Sequence, residues 1–282
     1  MLIVQRRRLL LYPSYVQDYL DRVTAADVTA GNTQGLELGV TDAFNTTLQN
    51  LVGDSVLGVS GGVIAEPAST IKAMPFMVGA RTLQGCLVPV VGPAPTRFGT
   101  EGGWNYNRKT GTAGNGTNNY LDSGRNNNAD PQNSKHVSVY ASTRNSEGEI
   151  RSYIGAAFAS GSSFTTQLLS GIAASRLSAR LHDAITSTSA GNLHSANGLF
   201  GASRNNSSNY VLRGSSISQT ITVASNPPSS NNIFVFSRNL DGFSFNYSDA
   251  RLAYYSIGES LNLALLDARV TALINAIAAA IP

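Results

Sequence analysis

The chain has 282 residues, of which only 13% are charged, and a formal net charge of +3 with a pI of about 9.1. This length is ample for a hydrophobic core that needs no disulfide bonds or structural metal ions. The single cysteine, Cys86, cannot form an internal disulfide. No basic stripe interleaved with aromatic residues follows the triplet Arg6, Arg7 and Arg8, so the sequence indicates no nucleic-acid surface. The same arginines interrupt the apolar run at residues 2–11 where a signal peptide would need its apolar centre.

The N-terminal part, residues 1–66, is predicted to form an arm followed by two helices. Residues 1–12 form an apolar segment that Pro13 ends, and we interpret it as an arm for another copy or a partner. An ordinary edge strand or a tucked terminus is the alternative. Ser14 is predicted to be the N-cap of a first helix, and a second helix is predicted between residues 41 and 52. Each has one apolar face and is too short to form a core alone, so both should pack on the sandwich or on neighbouring subunits.

From residue 69 the pattern changes to short strands with turns about every ten residues, the spacing expected of a β-sandwich. Gly, Ser, Thr and Asn are abundant, as in short strands joined by many turns. One segment, residues 175–185, is taken as a strand from its context, although it could pass for a short helix. The predicted strands are residues 71–78, 83–91, 119–122, 136–141, 150–157, 164–169, 175–185, 199–204, 210–214, 218–224 and 233–237.

The chain closes with a strand and a helix. Residues 252–257 are predicted to form the strand, which runs into Gly258, and the period becomes helical from Glu259. The helix must dock on an apolar surface. Asp267 and Arg269 lie at its centre, where each would be costly in lipid, so no transmembrane span is predicted. Its apolar face consists of Leu263, Leu266, Val270, Leu273, Ile274 and Ile277.

Two stretches of the chain resemble a known family. The first is the closing unit, with Arg-Leu-Ala-Tyr-Tyr-Ser-Ile-Gly at residues 251–258 and the helix at residues 261–277. The second comprises residues 105–111 and 114–124, in which a Gly-Asn-Gly-Thr turn precedes a Tyr-Leu-Asp strand. Both are similar to the concanavalin A-like (lectin/glucanase-type) jelly rolls of structural proteins of tailed bacteriophages, including cyanophages. Together they bracket about half of the chain.

The resemblance implies a mainly β fold, a concanavalin A-like jelly-roll β-sandwich with an N-terminal helical and arm segment and a C-terminal helix. Residues 1–66 would serve virion attachment and oligomerisation, residues 67–258 would form the sandwich, and residues 259–282 would be the docked helix. A fold of this kind serves lectins, enzymes and inert modules alike, so function needs separate evidence.

No catalytic, cofactor or metal site is predicted, and the protein is predicted not to be an enzyme. Polysaccharide-cutting relatives of the fold carry Glu-x-Asp-x-x-Glu on one strand, and this sequence has no such run. Glu147 and Glu149 lie in a polar setting typical of a turn. His136, His182 and His194 lack metal-ligand spacing, and no Gly-x-Ser-x-Gly turn or phosphate loop is present.

A calcium site built from Asp122, Asp130 or Asp249 is left open, because lectin-like sandwiches can carry one. No spacing of the EF-hand kind supports it in this sequence. The apolar setting of Cys86 favours a buried, inert thiol over a reactive one.

Glycan binding is predicted for loops that combine aromatic and amide side chains. An aromatic ring offers a flat apolar face to a pyranose, and a loop amide can bond to its hydroxyls. The candidate glycan-binding residues are Trp104, Tyr106, Asn127, Asn206 and Tyr247. For Trp104 the alternative of a core anchor or a cap at a sheet end is left open.

The leading hypothesis is a phage virion structural protein, a tail-fibre or receptor-binding appendage that recognises host surface glycans. The alternative is a capsid-decorating or baseplate protein that binds no host ligand, and a glycan-degrading enzyme is disfavoured by the missing carboxylate motif. The expected partners are other virion proteins through the arm, with no nucleic acid and no membrane insertion. The protein would be made in the host cytoplasm without a signal peptide and would reside in the virion.

A homotrimer is predicted from two features. Ala264, Ala268 and Ala272 lie on the far side of the closing helix, where a second helix could approach closely, and fibre proteins of this kind are usually trimers. An exposed alanine stripe that contacts nothing is the alternative.

Overall fold

The computed structural model describes residues 12–158, 165–170, 175–189 and 191–282. The predicted arm lies, apart from Tyr12, outside the described residues, as does the first residue of the strand predicted at 164–169. The α-helices are α1 (Ser14–Thr29), α2 (Leu38–Gly53), α3 (Leu83–Cys86) and α4 (Leu263–Ala280), and the short 3-10 helices are Glu66–Ala68, Glu101–Gly103 and Asn127–Ala129.

The strands are short and follow one another closely along the chain. They are β1 (Val59–Ser60), β2 (Val63–Ile64), β3 (Ile71–Pro75), β4 (Pro89–Val91), β5 (Thr96–Phe98), β6 (Asn105–Asn107), β7 (Gly111–Ala113), β8 (Tyr120–Asn126), β9 (Lys135–Thr143), β10 (Arg151–Ala157), β11 (Thr165–Ser170), β12 (Leu177–Asp183), β13 (Ser187–Thr188), β14 (Gly198–Arg204), β15 (Asn209–Gly214), β16 (Ile217–Thr222), β17 (Asn232–Val235), β18 (Arg238–Leu240), β19 (Phe243–Phe245) and β20 (Arg251–Gly258).

Two large sheets form a β-sandwich. The front sheet has the order β13-β12-β11-β10-β17-β8-β5, with the β18–β19 hairpin beside β10. The back sheet has the order β16-β15-β14-β9-β20-β3-β4, with β6 and β7 beside β20. Neighbouring strands are antiparallel except for β18, which runs parallel to β10. The predicted fold class, a mainly β sandwich with N-terminal helices and a C-terminal helix, is confirmed.

The closing strand β20 lies inside the back sheet, between β9 and β3. Its residues from Leu252 to Gly258 are all buried, because both faces of the strand are covered. The Tyr254 ring lies 6.0 Å from Phe76, which in turn packs on Tyr19 of α1 and Phe44 of α2. One face of the back sheet therefore carries the helices, and the other faces the front sheet.

The C-terminal helix α4 docks on α2 and β14, as its apolar stripe predicts. Its N-terminus is capped by Asn262, whose side-chain oxygen accepts from the N–H groups of Ala264 and Leu265. By length and composition alone α4 would also pass as a membrane-spanning helix. Its two central charges are paired, Asp267 with Arg213 and Arg269 with Asp54.

The strand predicted at residues 83–91 is partly wrong. The hydroxyl of Thr82 accepts from the N–H of Gly85 at 3.0 Å and begins the helical turn α3, so that only β4 is extended. The buried carboxylate of Asp27 accepts from the N–H groups of Arg81 and Thr82 and fixes this turn against α1. Such long-range contacts override the local β pattern. Cys86 is buried as predicted, and burial raises the pKa of its thiol to about 12.

The segment that was ambiguous from sequence, residues 175–185, contains the strand β12, as predicted. The helices α1 and α2 also form where they were predicted, and they share one buried cluster with the sandwich. The predicted N-cap is wrong, because Pro13 precedes α1 and Ser14 is already helical, so the Ser14 side chain caps no N–H group of the described helix.

Candidate functional site

Two of the predicted aromatic residues serve packing. The half-buried ring of Trp104 lies edge-on against the buried ring of Phe236, with 5.6 Å between their centroids. Trp104 therefore anchors a sheet end, the alternative that the sequence left open. The hydroxyl of Tyr106 donates to the carbonyl oxygen of Ala80 at 2.8 Å, and burial raises the pKa of that hydroxyl well above its usual range.

The two predicted amides are engaged within the fold. Asn127 is 0% exposed, and its side-chain nitrogen donates to the hydroxyl of Ser229 at 3.2 Å. It therefore has no exposed amide to offer a ligand. Asn206 lies in the turn between β14 and β15, where its side-chain oxygen accepts from the N–H groups of Ser208 and Asn209, each at 2.9 Å. This amide shapes the turn.

The fifth candidate, Tyr247, borders a group of aromatic rings on the outer face of the front sheet. Tyr120 is stacked between Phe98 and Phe234, with centroid distances of 4.9 Å and 4.6 Å. Tyr247 lies 6.5 Å from Tyr120. We call Phe98, Tyr120 and Phe234 the aromatic row. Its outer end is open to solvent, since Phe98 is 43% exposed.

Strand register produces the aromatic row. Phe98 of β5 lies opposite Tyr120 of β8, and Phe234 of β17 lies opposite Asp122, the next outward-facing residue of β8. Because side chains alternate along a strand, the intervening Leu121 faces the core and is fully buried. Three separate strands thus present rings on one face, and cross-strand aromatic pairs stabilise this arrangement.

Polar groups flank the aromatic row. The carboxylate of Asp122 accepts from the side-chain nitrogen of Asn232 at 3.1 Å and from the N–H of Gly124 at 2.8 Å. The hydroxyls of Ser244 and Tyr247 are hydrogen-bonded to each other on the other side. Burial is the main cause of the raised pKa of Tyr120, to which the nearby Tyr247 and Asp122 add. The rings cover one another's faces, and Phe234 is only 5% exposed, so the ring open to a ligand is that of Phe98 on the edge strand β5. An exposed aromatic ring beside hydrogen-bonding groups can hold a sugar by packing on its C–H face and by bonds to its hydroxyls.

Of the five candidate residues, Tyr247 is the one that borders the aromatic row, and the row itself was not predicted from the sequence. The available signal was the alternation of Tyr120, Leu121 and Asp122, which predicts a strand with one outward aromatic residue. Which strands lie beside it depends on sheet topology, and the partners Phe98 and Phe234 are distant in sequence.

The acidic pair considered for catalysis is exposed and lies in a turn, as predicted. Glu147 lies 3.8 Å from Arg144, and Glu149 pairs with Arg151 at 2.8 Å. Each carboxylate thus has its own arginine at the surface.

The three histidines are buried and separate. Burial lowers the pKa of His136, His182 and His194 to about 4 in each case, so all are neutral at pH 7. Within the described ranges no group of three or more His, Cys, Asp or Glu side chains could hold a metal ion.

The three aspartates that were considered for calcium each have partners of their own. Asp122 bonds to Asn232, Asp130 pairs with Lys135, and the carboxylate of Asp249 accepts from Ser146.

No family model matches the chain, and no curated protein matches it. Among solved structures it is similar to the CBM40 of Ruminococcus gnavus IT-sialidase, with 10% identity and a TM-score of 0.38 over 46% of this chain and 79% of that chain. It is also similar to the botulinum neurotoxin serotype D binding domain, with 11% identity and a TM-score of 0.47 over 72% of this chain and 51% of that chain.

A third similar structure is the NanB sialidase from Streptococcus pneumoniae, with 13% identity and a TM-score of 0.37. The match covers 47% of this chain and 23% of that chain, so this protein spans only part of NanB. These neighbours are β-sandwich domains of carbohydrate-binding or lectin-like type. At such identities the likeness concerns the fold alone, and no functional residue is carried over.

Proposed function

We propose that this protein is a phage virion structural protein, a tail-fibre or receptor-binding appendage whose β-sandwich recognises host surface glycans. The observation that carries the glycan part is the aromatic row on the outer face of the front sheet. Phe98, Tyr120 and Phe234 are stacked at 4.9 Å and 4.6 Å and are flanked by the carboxylate of Asp122 and the amide of Asn232.

A single site of this kind binds weakly. One aromatic contact contributes on the order of 1 kcal/mol beyond the area it buries, and hydrogen bonds to sugar hydroxyls must compete with water. Several copies on one particle convert weak sites into strong attachment, because each further site binds at a high effective concentration. Recognition by the aromatic row therefore suits a multicopy appendage.

The virion setting is supported by the resemblance of residues 105–124 and 251–277 to phage jelly rolls. The proposal includes attachment to other virion proteins through the N-terminal arm, assembly as a homotrimer and a location in the virion. It assigns no catalytic role. Incubation with host polysaccharide should release no new reducing ends, and their appearance would revive the hypothesis of a glycan-degrading enzyme.

A second candidate function is a capsid-decorating or baseplate protein that contacts only other virion proteins. The observation that favours it is the exposure of large apolar side chains that do not belong to the aromatic row. Phe243 on β19 is 71% exposed and Leu38 at the start of α2 is 59% exposed. Such side chains expose apolar area to water, which is unfavourable unless a partner covers it.

Binding to host cells separates the two functions. Fluorescently labelled full-length protein should bind saturably to host cells and lose binding when their surface polysaccharide is stripped. Tyr120→Ala should weaken binding at least about fivefold, because it removes the central ring of the stack. Leu38→Ala, a change at an exposed residue of the helical layer, serves as the matched control and should bind normally. Absence of binding by a properly assembled oligomer would favour the structural component.

A further inference from the structure

Beside the aromatic row, one arginine contacts a buried amide and a second arginine lies opposite that amide in the sheet. Gln167 of β11 is 1% exposed and lies directly opposite Arg180 of β12 in the sheet. The guanidinium of Arg238 of β18 donates to the side-chain oxygen of Gln167 at 3.2 Å. Both arginines are half-buried, and both reach the outer face of the front sheet.

No ion pair among the described residues involves Arg238, so no carboxylate of that part of the chain neutralises its charge. The residues outside the description contain no Asp or Glu. The Nε of Arg238 is buried and has no hydrogen-bond partner in the described part of the chain. Burial, and then the positive charge of Arg180, lower the pKa of Arg238.

A buried donor without a partner and a cation held near a second cation are both costly, and an anion would relieve both costs. Guanidinium groups are suited to this role because their planar N–H groups match a carboxylate in two parallel bonds. Arg180 is held in place through its Nε, which donates to the hydroxyl of Thr186 at 2.6 Å. The pair is thus positioned for a planar anion.

The arginines continue the aromatic row across the same face. Phe234 lies opposite Gly155, Gly155 opposite Gln167, and Gln167 opposite Arg180, on four neighbouring strands. With strands about 4.8 Å apart, Phe234 and Arg180 are separated by about 14 Å at the backbone. Gly155 has no side chain, so the face is lower between the rings and the arginines. A Cβ atom there would lie 2.9 Å from the Cβ of Gln167.

We infer that the front sheet recognises an acidic glycan, in which a sugar carboxylate binds Arg238 and Arg180 while another part of the glycan packs against the aromatic row. The inference rests on the proposed glycan recognition and names the class of sugar involved. Neutral glycans lack the group that the arginines would bind, and sulfated glycans carry a tetrahedral anion in its place.

The test is equilibrium binding of the full-length protein to polygalacturonate, alginate and polysialic acid, each beside its carboxyl-reduced counterpart, with dextran sulfate as a further arm. At least one carboxylated polymer should bind, and carboxyl reduction should weaken that binding at least about tenfold, since hydrogen bonds to charged groups are the stronger kind. Arg238→Gln should cause a loss of similar size. Arg238→Lys, which keeps the charge but not the fork, should be intermediate.

Arg176→Gln is the matched control, because Arg176 is exposed just before the same strand, β12, and should leave affinity within about twofold. Equal binding of acidic and reduced polymers that Tyr120→Ala abolishes would overturn the inference and leave glycan recognition standing. Binding of dextran sulfate alone would also overturn it. If no carboxylated polymer binds, the inference fails, and the proposed function fails with it only if host cells are not bound either.

Discussion

Asp130 is a buried carboxylate that lies between two positive charges. It is 3% exposed, and its carboxylate accepts from the fully buried ammonium group of Lys135 at 2.6 Å and from the guanidinium of Arg125. These two positive groups hold the pKa of Asp130 at about 2, against the effect of burial, which raises it. The charges are mutually compensated, and removal of one partner leaves the others buried without compensation.

Asp130→Asn should therefore lower the free energy of unfolding by about 3–5 kcal/mol. The control is Glu101→Gln, which breaks the exposed ion pair with Arg97 and should cost less than about 1 kcal/mol. Urea unfolding at pH 7 measures both. Equal effects of the two substitutions would show that the burial of Asp130 does not matter energetically.

The protein should begin to lose stability at pH values well above those at which carboxylates are protonated. Burial lowers the pKa of His136, His182 and His194 to about 4, whereas the unfolded chain binds these protons near pH 6.5. The stability that these neutral histidines contribute is fully present above pH 6.5 and is lost as the pH falls from about 6.5 to about 4.

Each histidine adds a slope of up to about 1.4 kcal/mol per pH unit in this range. Urea unfolding at pH 7, 6 and 5 measures how the free energy of unfolding changes with pH. His194→Gln should remove the contribution of one histidine from that slope. A free energy of unfolding that stays constant between pH 7 and pH 5 would contradict the assignment.

At the scale of elements, the periodic segments were predictable and the turn-like ones were not. The strand β20 and the helix α4 follow from their apolar spacing, and α1 and α2 follow from their one-sided faces. The prediction of a strand at residues 83–91 was partly wrong because the carboxylate of Asp27, far away in sequence, fixes the backbone where α3 begins. The aromatic row was not predicted either, because it depends on the register between strands that are distant in sequence. Of the predicted residues, only Tyr247 lies beside it.

The start of α4 tests one local contribution. Asn262→Ala removes the side-chain oxygen that caps two N–H groups and should cost about 1 kcal/mol in the free energy of unfolding. Asn275→Ala, an exposed position in the interior of the same helix, is the control and should be neutral or slightly stabilising because alanine has the higher helix propensity. A cost at residue 275 as large as that at residue 262 would mean that capping is not the cause.

At the scale of the whole molecule, the proposed trimer sets the strength of attachment. Ala264, Ala268 and Ala272 of α4 are exposed, as the predicted interface requires. Light scattering at micromolar concentration should give three times the 29.6 kDa mass of the chain. A clean monomer would count against the trimer, and it would predict host-cell binding with only the weak affinity of one site.

The position of β20 has a consequence for synthesis. Among the described strands this one is synthesised last, yet it belongs between β9 and β3 in the back sheet. Until it emerges, the nascent chain has two parts of a sheet whose facing edges are unpaired, and unpaired edges attract other chains. A chain that stops before residue 251 would therefore be an aggregation-prone fragment rather than a smaller domain.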